Sequence, residues 1–252
     1  MRIFIVIILF SLAGCVTTTT GVDKNTVNPK TMSEGYNKTG EAYLLQKNYE
    51  LAAVEFHRAL QADSSNKWSY YYLGYISDHQ DKLDDAIHFY KDAIGVDSNF
   101  SEAYNALGTA YARQQKWNDA LKAFNRALEN KLYTTPHIPY LNIGRVYMAQ
   151  KEYDKAIAAY RNAKGFSYQD YIIIELGTAL LDAGRTKEAV SEFQESVSIF
   201  PQNASLHYNL ALAYLKDRRK NQAVSEFKKA ISLATPQSEV ATKSAEYIKK
   251  LR

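Results

Sequence analysis

A small residue recurs along this 252-residue chain at an almost fixed interval: Gly40, Gly74, Gly108, Gly144, Gly177 and Ala211, at steps of 34, 34, 36, 33 and 34. The residue before each is Thr39, Leu73, Leu107, Ile143, Leu176 or Leu210. Twelve residues after each comes Ala52, Ala86, Ala120, Ala156, Ala189 or Ala223, and four further on Phe56, Tyr90, Phe124, Tyr160, Phe193 or Phe227. Three beyond those stand Ala59, Ala93, Ala127, Ala163, Ser196 and Ala230. A unit of this length cannot bury its own apolar face, so successive units must stack. Counting from seven residues before the small one, positions 4, 7, 8 and 11 share one face of a first helix. Positions 20, 24 and 27 share one face of a second. Gly or Ala at 8 and 20 lets the two axes approach, and aromatics at 4, 11 and 24 fill the remaining space. Tyr36, Tyr70, Tyr104 and Tyr140 stand at position 4, and Tyr43, Tyr111, Tyr147 and Tyr214 at position 11.

These residues resemble the tetratricopeptide repeat (TPR). The resemblance implies an all-α fold, a TPR superhelix (α-solenoid) of six helix-turn-helix repeats plus a C-terminal capping helix. The repeats cover 33–237, as 33–66, 67–100, 101–134, 137–169, 170–203 and 204–237, and residues 238–252 form the cap. Departures are few: Thr39 stands for Leu, Ser77 and Leu180 for Tyr, and Pro fills position 32 only at Pro201. The spacing widens once, at "NKLYTTPHIPYLNIG", residues 130–144. Pro136 ends that loop, and Pro139 falls in the first turn of the next helix, where a missing N–H is tolerated. The two added residues predict a stiffened elbow between two three-repeat halves.

The N-terminus reads "MRIFIVIILFSLAGC". A positive start and a short apolar run fit a signal peptide over 1–14, since a spanning helix needs about 20 residues. "LAGC" resembles the lipobox of bacterial lipoproteins. That resemblance implies cleavage before Cys15 and acylation of its sulfur and amino groups. Several chains on one residue anchor stably, at about 0.8 kcal/mol per buried CH₂. Cys15 is the only cysteine, so no intramolecular disulfide forms. Val16 in place of an Asp favours the outer membrane, facing the periplasm. Residues 15–32 then comprise the lipidated cysteine and a Thr/Asn-rich flexible tether.

The net charge of +4 does not by itself imply nucleic-acid binding. It is unevenly placed, because residues 204–252 hold ten Lys/Arg and four Asp/Glu. That basic end reads as a solvated cap or a docking face for an anionic partner. No catalytic constellation, metal-ligand spacing or Gly-rich phosphate loop is present, so no enzyme activity, metal or cofactor is expected. His79 and His88 could meet near one loop, but they read as isolated surface histidines. Asp84 and Asp85 fit a helix start, where they complement the dipole.

Function is then expected in the inner groove that, in TPR superhelices, positions 2, 5, 9 and 12 of the first helices line. Trp68, Tyr71 and Tyr75 stand there in the second repeat, outside the packing positions. Leu44, Ile138, Leu141, Tyr171, Ile174, Tyr208 and Leu212 stand at the same positions elsewhere. An aromatic, apolar groove suits an amphipathic helix or an extended peptide. The Lys/Arg clamp of carboxylate-binding TPRs is missing, with Asn37 and Glu41 in the first repeat.

A lipobox, a short tether and six repeats resemble the pilotins of type IV pilus secretins, the PilF/PilW/Tgl family. The Leu132–Tyr133–Thr134–Thr135–Pro136 loop adds to that likeness. The resemblance implies a periplasm-facing outer-membrane lipoprotein that binds secretin subunits and promotes their localisation and assembly. Two other roles fit the same architecture: an adaptor for peptidoglycan hydrolases or proteases, like the NlpI lipoproteins, and a general envelope scaffold.

Overall fold

The structure is a computed structural model that describes residues 28–251, so Cys15, the lipobox and most of the expected tether lie outside the described residues. Thirteen α-helices follow one another within them, and no strand is present among them. The first helices of the hairpins are α1 (Pro29–Leu45), α3 (Lys67–His79), α5 (Ser101–Arg113), α7 (His137–Ala149), α9 (Asp170–Asp182) and α11 (Ala204–Lys216). The second helices are α2 (Tyr49–Ala62), α4 (Leu83–Val96), α6 (Trp117–Glu129), α8 (Tyr153–Phe166), α10 (Thr186–Ile199) and α12 (Lys220–Leu233). α13 (Glu239–Lys250) closes the array.

Inside each hairpin the position-8 residue lies against the position-24 ring. A Cβ on Gly108 would meet Phe124 at 2.6 Å, one on Gly144 would meet Tyr160 at 2.3 Å, and one on Gly177 would meet Phe193 at 2.1 Å. Gly40 and Gly74 are held the same way against Phe56 and Tyr90, each at 2.6 Å. The rings and the alanines at 20 and 27 are buried. Hairpins then stack through shared cores. Ala120 and Phe124 of α6 join Ile143 and Val146 of α7 in one cluster, and a larger one runs from Leu141 to Phe227.

Each turn from first to second helix repeats one hydrogen-bond pattern. In the first hairpin Asn48 N donates to Tyr43 O at 2.9 Å and Lys47 N to Leu44 O at 2.9 Å, a Schellman closure. Its central residue is left-handed: Lys47, Asp81, Gln115, Lys151 and Arg218 adopt φ of 58–62° in five hairpins, and Gly184 adopts 76° in the other. Five non-glycine residues thus accept a conformation that only Gly adopts freely, because the closure satisfies otherwise orphaned carbonyls.

One boundary differs from expectation. α1 begins at Pro29, so residues 29–32 are helix rather than tether. Pro29 needs no N–H in the first turn, and Asn28 Oδ1 accepts from Lys30 N at 2.9 Å. The loop between α6 and α7 is no domain boundary, as the resumed register implies, and a shared core crosses it. Tyr133 turns inward and is buried, whereas Leu132 is 87% exposed. Asn130 pins the loop by donating to Asn99 O at 3.1 Å and accepting from Leu132 N at 3.0 Å.

The ring contact yields opposite outcomes for one chemical change. Gly177→Ala drives a methyl into Phe193 and costs about 1–3 kcal/mol of overpacking. Gly35→Ala, inside α1 with nothing within 4 Å of its added Cβ, gains about 1 kcal/mol of helix propensity. Thermal melts of the two variants are expected to move in opposite directions.

Candidate functional site

Consecutive first helices approach one another directly at α3–α5, α5–α7, α9–α11 and α11–α13. Second helices meet through long side chains instead, as where Arg161 of α8 reaches Glu188 of α10 at 2.8 Å. The first helices therefore form the inner wall of the stack. Arg185 is the main hydrogen-bond donor that, with Arg161, holds the Glu188 carboxyl down at about 2.

Polar side chains fasten the inner wall from hairpin to hairpin. Ser69 Oγ donates to Asn37 Oδ1 at 2.9 Å, and Asn142 Nδ2 donates to Asn105 Oδ1 at 3.1 Å. Arg113 donates to Asp78 through its backbone oxygen at 2.9 Å and its carboxylate at 2.6 Å. Arg145 reaches Glu175 with two donors, at 2.9 and 2.8 Å. Apolar spacing does not pick out these residues. Their signal was the Arg at 113 and 145 on successive first helices, with acids at 78 and 175.

On that wall the ten sequence-predicted groove residues fall into three groups. Trp68, Tyr75 and Tyr171 present open surface, at 38%, 37% and 41% exposure. Leu44, Ile138, Ile174, Tyr208 and Leu212 are half-buried. Tyr208 lies 5.8 Å from Phe227 and 6.4 Å from Tyr247 of α13, so the final helix covers part of the inner face there. Leu141 is a correction. At 5% exposure it belongs to the large core and offers no groove surface.

Tyr71 is half-buried like those five, and packing holds its covered side. Its ring lies 5.6 Å from Phe100 and 5.9 Å from Tyr90, wedged between hairpins two and three. Burial, ahead of neighbouring charges, pushes its hydroxyl up to about 12. Tyr71 supports Trp68, whose indole stands 5.7 Å from it edge-on and 4.7 Å from Phe100. Lys67 lies 4.6 Å over the Phe100 ring and pairs with Asp97 at 2.6 Å. The indole is thus fixed on one side and open on the other, into a cleft of about 470 Å³ edged by Glu34, Lys38, Glu41 and Asp63. An aromatic plate beside mixed charge offers surface for stacking and apolar contact.

Histidines 79 and 88 do not form a site. His79 packs on Tyr75 at 4.4 Å and Tyr49 at 5.4 Å, while His88 faces Asp92 at 3.5 Å. Among the described residues no group of three or more His, Cys, Asp or Glu could hold a metal, and no helix is long and apolar enough to cross a membrane.

Models of the tetratricopeptide repeat match residues 80–135, 105–170, 177–217 and 204–236. The structure of Pseudomonas aeruginosa PilF superposes with a TM-score of 0.71, covering 88% of this chain and 100% of that one at 19% identity. That of PilW, a widely conserved type IV pilus biogenesis factor, gives 0.72 over 84% and 98%, also at 19% identity. The human intraflagellar transport protein 88 homolog is 27% identical over 127 residues, 48% of this chain. The chain spans only 15% of that relative's length. At these identities the solved structures share the fold.

The difference between core and groove is measurable. Leu141→Ala is expected to cost about 2–5 kcal/mol in chemical denaturation. Tyr171→Ala, two-fifths exposed, is expected to stay within about 1 kcal/mol of the parent.

Proposed function

We propose that this chain, which belongs to the tetratricopeptide-repeat proteins, is a pilotin-like lipoprotein of the bacterial outer membrane. In this reading Cys15 carries the lipid, and the inner wall of the repeats holds a secretin subunit of the type IV pilus. The observation that carries the proposal is the match in extent. The whole of the PilF chain superposes over 88% of this one, and 98% of PilW over 84% of it. The lipobox-like "LAGC" at residues 12–15 supports the anchor.

The mechanism follows from the wall. Polar bridges and ring contacts between hairpins hold the first helices in place, so little conformational freedom is lost when a partner docks. Trp68 and Tyr75 supply open aromatic surface, and Tyr71 and Phe100 keep the indole from collapsing inward. A lipid anchor confines the scaffold to a membrane surface and raises the effective concentration of a membrane-bound client. Binding, rather than bond-making, is the whole of the action.

Replacing the native protein by a Cys15→Ser form tests the reading in cells. Secretin is then expected to remain monomeric in the inner membrane, with the variant released or unprocessed. Normal secretin multimers would reject the pilotin role, and normal multimers with altered cell-wall hydrolysis would point to an adaptor. Membrane retention of a processed Cys15→Ser form would reject the lipid anchor.

A further inference from the structure

The register that separates Gly177 from Ala211 by 34 residues continues by 34 more to Ala245, on α13. In the same step Leu210 is followed by Ser244, also buried, and Tyr214 by Ile248. Tyr247 stacks on Phe227 at 5.0 Å with a 4° angle between the rings. α13 is therefore built as the first helix of a seventh hairpin. Position 8 in the earlier hairpins faces a ring of the second helix, but Ala245 is exposed. No second helix follows α13 among the described residues.

The neighbouring second helix, α12, is open on the same side. Ile87, Ile157 and Val190, at position 21 of α4, α8 and α10, are buried, and Ile87 shares a core with Leu107 and Ala110 of the following hairpin. Their counterpart Val224 is half-buried, as are Ala53 and Leu121 at position 21 of α2 and α6. A groove of about 350 Å³ runs between α12 and α13, lined by Val224, Ile248 and Leu251 and edged by Lys220 and Lys228.

The fourth and fifth hairpins show what such an edge can meet. Lys228 occupies the position that Arg161 holds in α8. Arg161 pairs with Glu188 of the next second helix at 2.8 Å, and Lys164 pairs with Glu192 at 2.6 Å. At the α12–α13 end, Asp217, Glu226 and Glu239 already face Arg219, His207 and Lys243. Lys220 and Lys228 have no carboxylate partner among the described residues, in an end whose net charge over 204–252 is +6.

We propose that the α12–α13 face docks an acidic amphipathic α-helix supplied by a partner protein, laid along α13 as the second helix of the seventh hairpin. Its apolar stripe covers Ala245, Ile248 and Val224, and its carboxylates meet Lys220 and Lys228. This surface is separate from the inner wall, and the inference does not rest on the pilotin reading.

The probe is a synthetic peptide of residues 184–201, "GRTKEAVSEFQESVSIFP", which carries Glu188, Glu192 and Glu195 and packs as a second helix in the fifth hairpin. It is titrated into the full 252-residue chain and followed by fluorescence anisotropy and amide hydrogen exchange. Saturable binding is expected, with new protection confined to residues 220–228 and 241–251. Lys220→Glu/Lys228→Glu is expected to weaken binding about tenfold or more with an unchanged melting curve. A peptide carrying Glu188→Lys and Glu192→Lys is expected to recover binding to that variant. The proposal is overturned by no binding up to about 1 mM, by protection elsewhere, or by indifference to charge reversal. Protection of this face by phosphatidylglycerol vesicles but not by the peptide would overturn it in favour of a lipid surface. A chain dimer abolished by Lys228→Glu would overturn it in favour of a second copy.

Discussion

The contact between a glycine on each first helix and an aromatic ring on the second sets the geometry on which the rest of the structure depends. Glycine inside a helix costs about 1 kcal/mol relative to alanine, and five hairpins carry that cost at the same place. What offsets it is the ring seated where a Cβ would stand, at 2.1–2.6 Å. Closing the helices onto that ring buries the alanines at 20 and 27 around it, and so fixes the angle of the hairpin. The sixth hairpin uses Ala211 with Phe227, both fully buried, so the motif tolerates one methyl where the local packing provides room.

Uniform hairpins can stack only in a regular way, and here the stacking brings first helices close while the second helices α8 and α10 span the gap with ion pairs. That asymmetry makes an inner wall. The wall is stiffened by Arg113 on Asp78 and Arg145 on Glu175, and its exposed aromatic surface is concentrated at Trp68 and Tyr75 of α3. The same asymmetry explains the free end. A first helix placed at the end of such a stack presents the face that every earlier one uses to hold a second helix.

The repeat was legible in the sequence because its spacing is set by backbone approach, and only Gly and Ala permit it. The six ring positions and the alanines could be read directly for the same reason. Groove membership was less legible. Position 5 points to the inner wall in principle, yet Leu141 sinks into the core and Tyr71 wedges between hairpins, because neighbouring helices converge there. Side-chain spacing along one helix carries no information on how closely the next helix approaches. The early start of α1 at Pro29 was masked by Thr and Asn, which read as tether although Asn28 serves as a cap. The left-handed turns at Lys47, Asp81, Gln115, Lys151 and Arg218 were also unreadable, since none is a glycine.

The proposed docking of a partner on the inner wall beside Trp68 is open to direct measurement. Site-specific photocrosslinking tests it most directly, with a benzophenone amino acid placed at position 68 in one form and at exposed Val54 of α2 in another. In living cells a discrete protein adduct is expected from position 68 and none from position 54. Adducts from position 54 alone, or from neither, would contradict it.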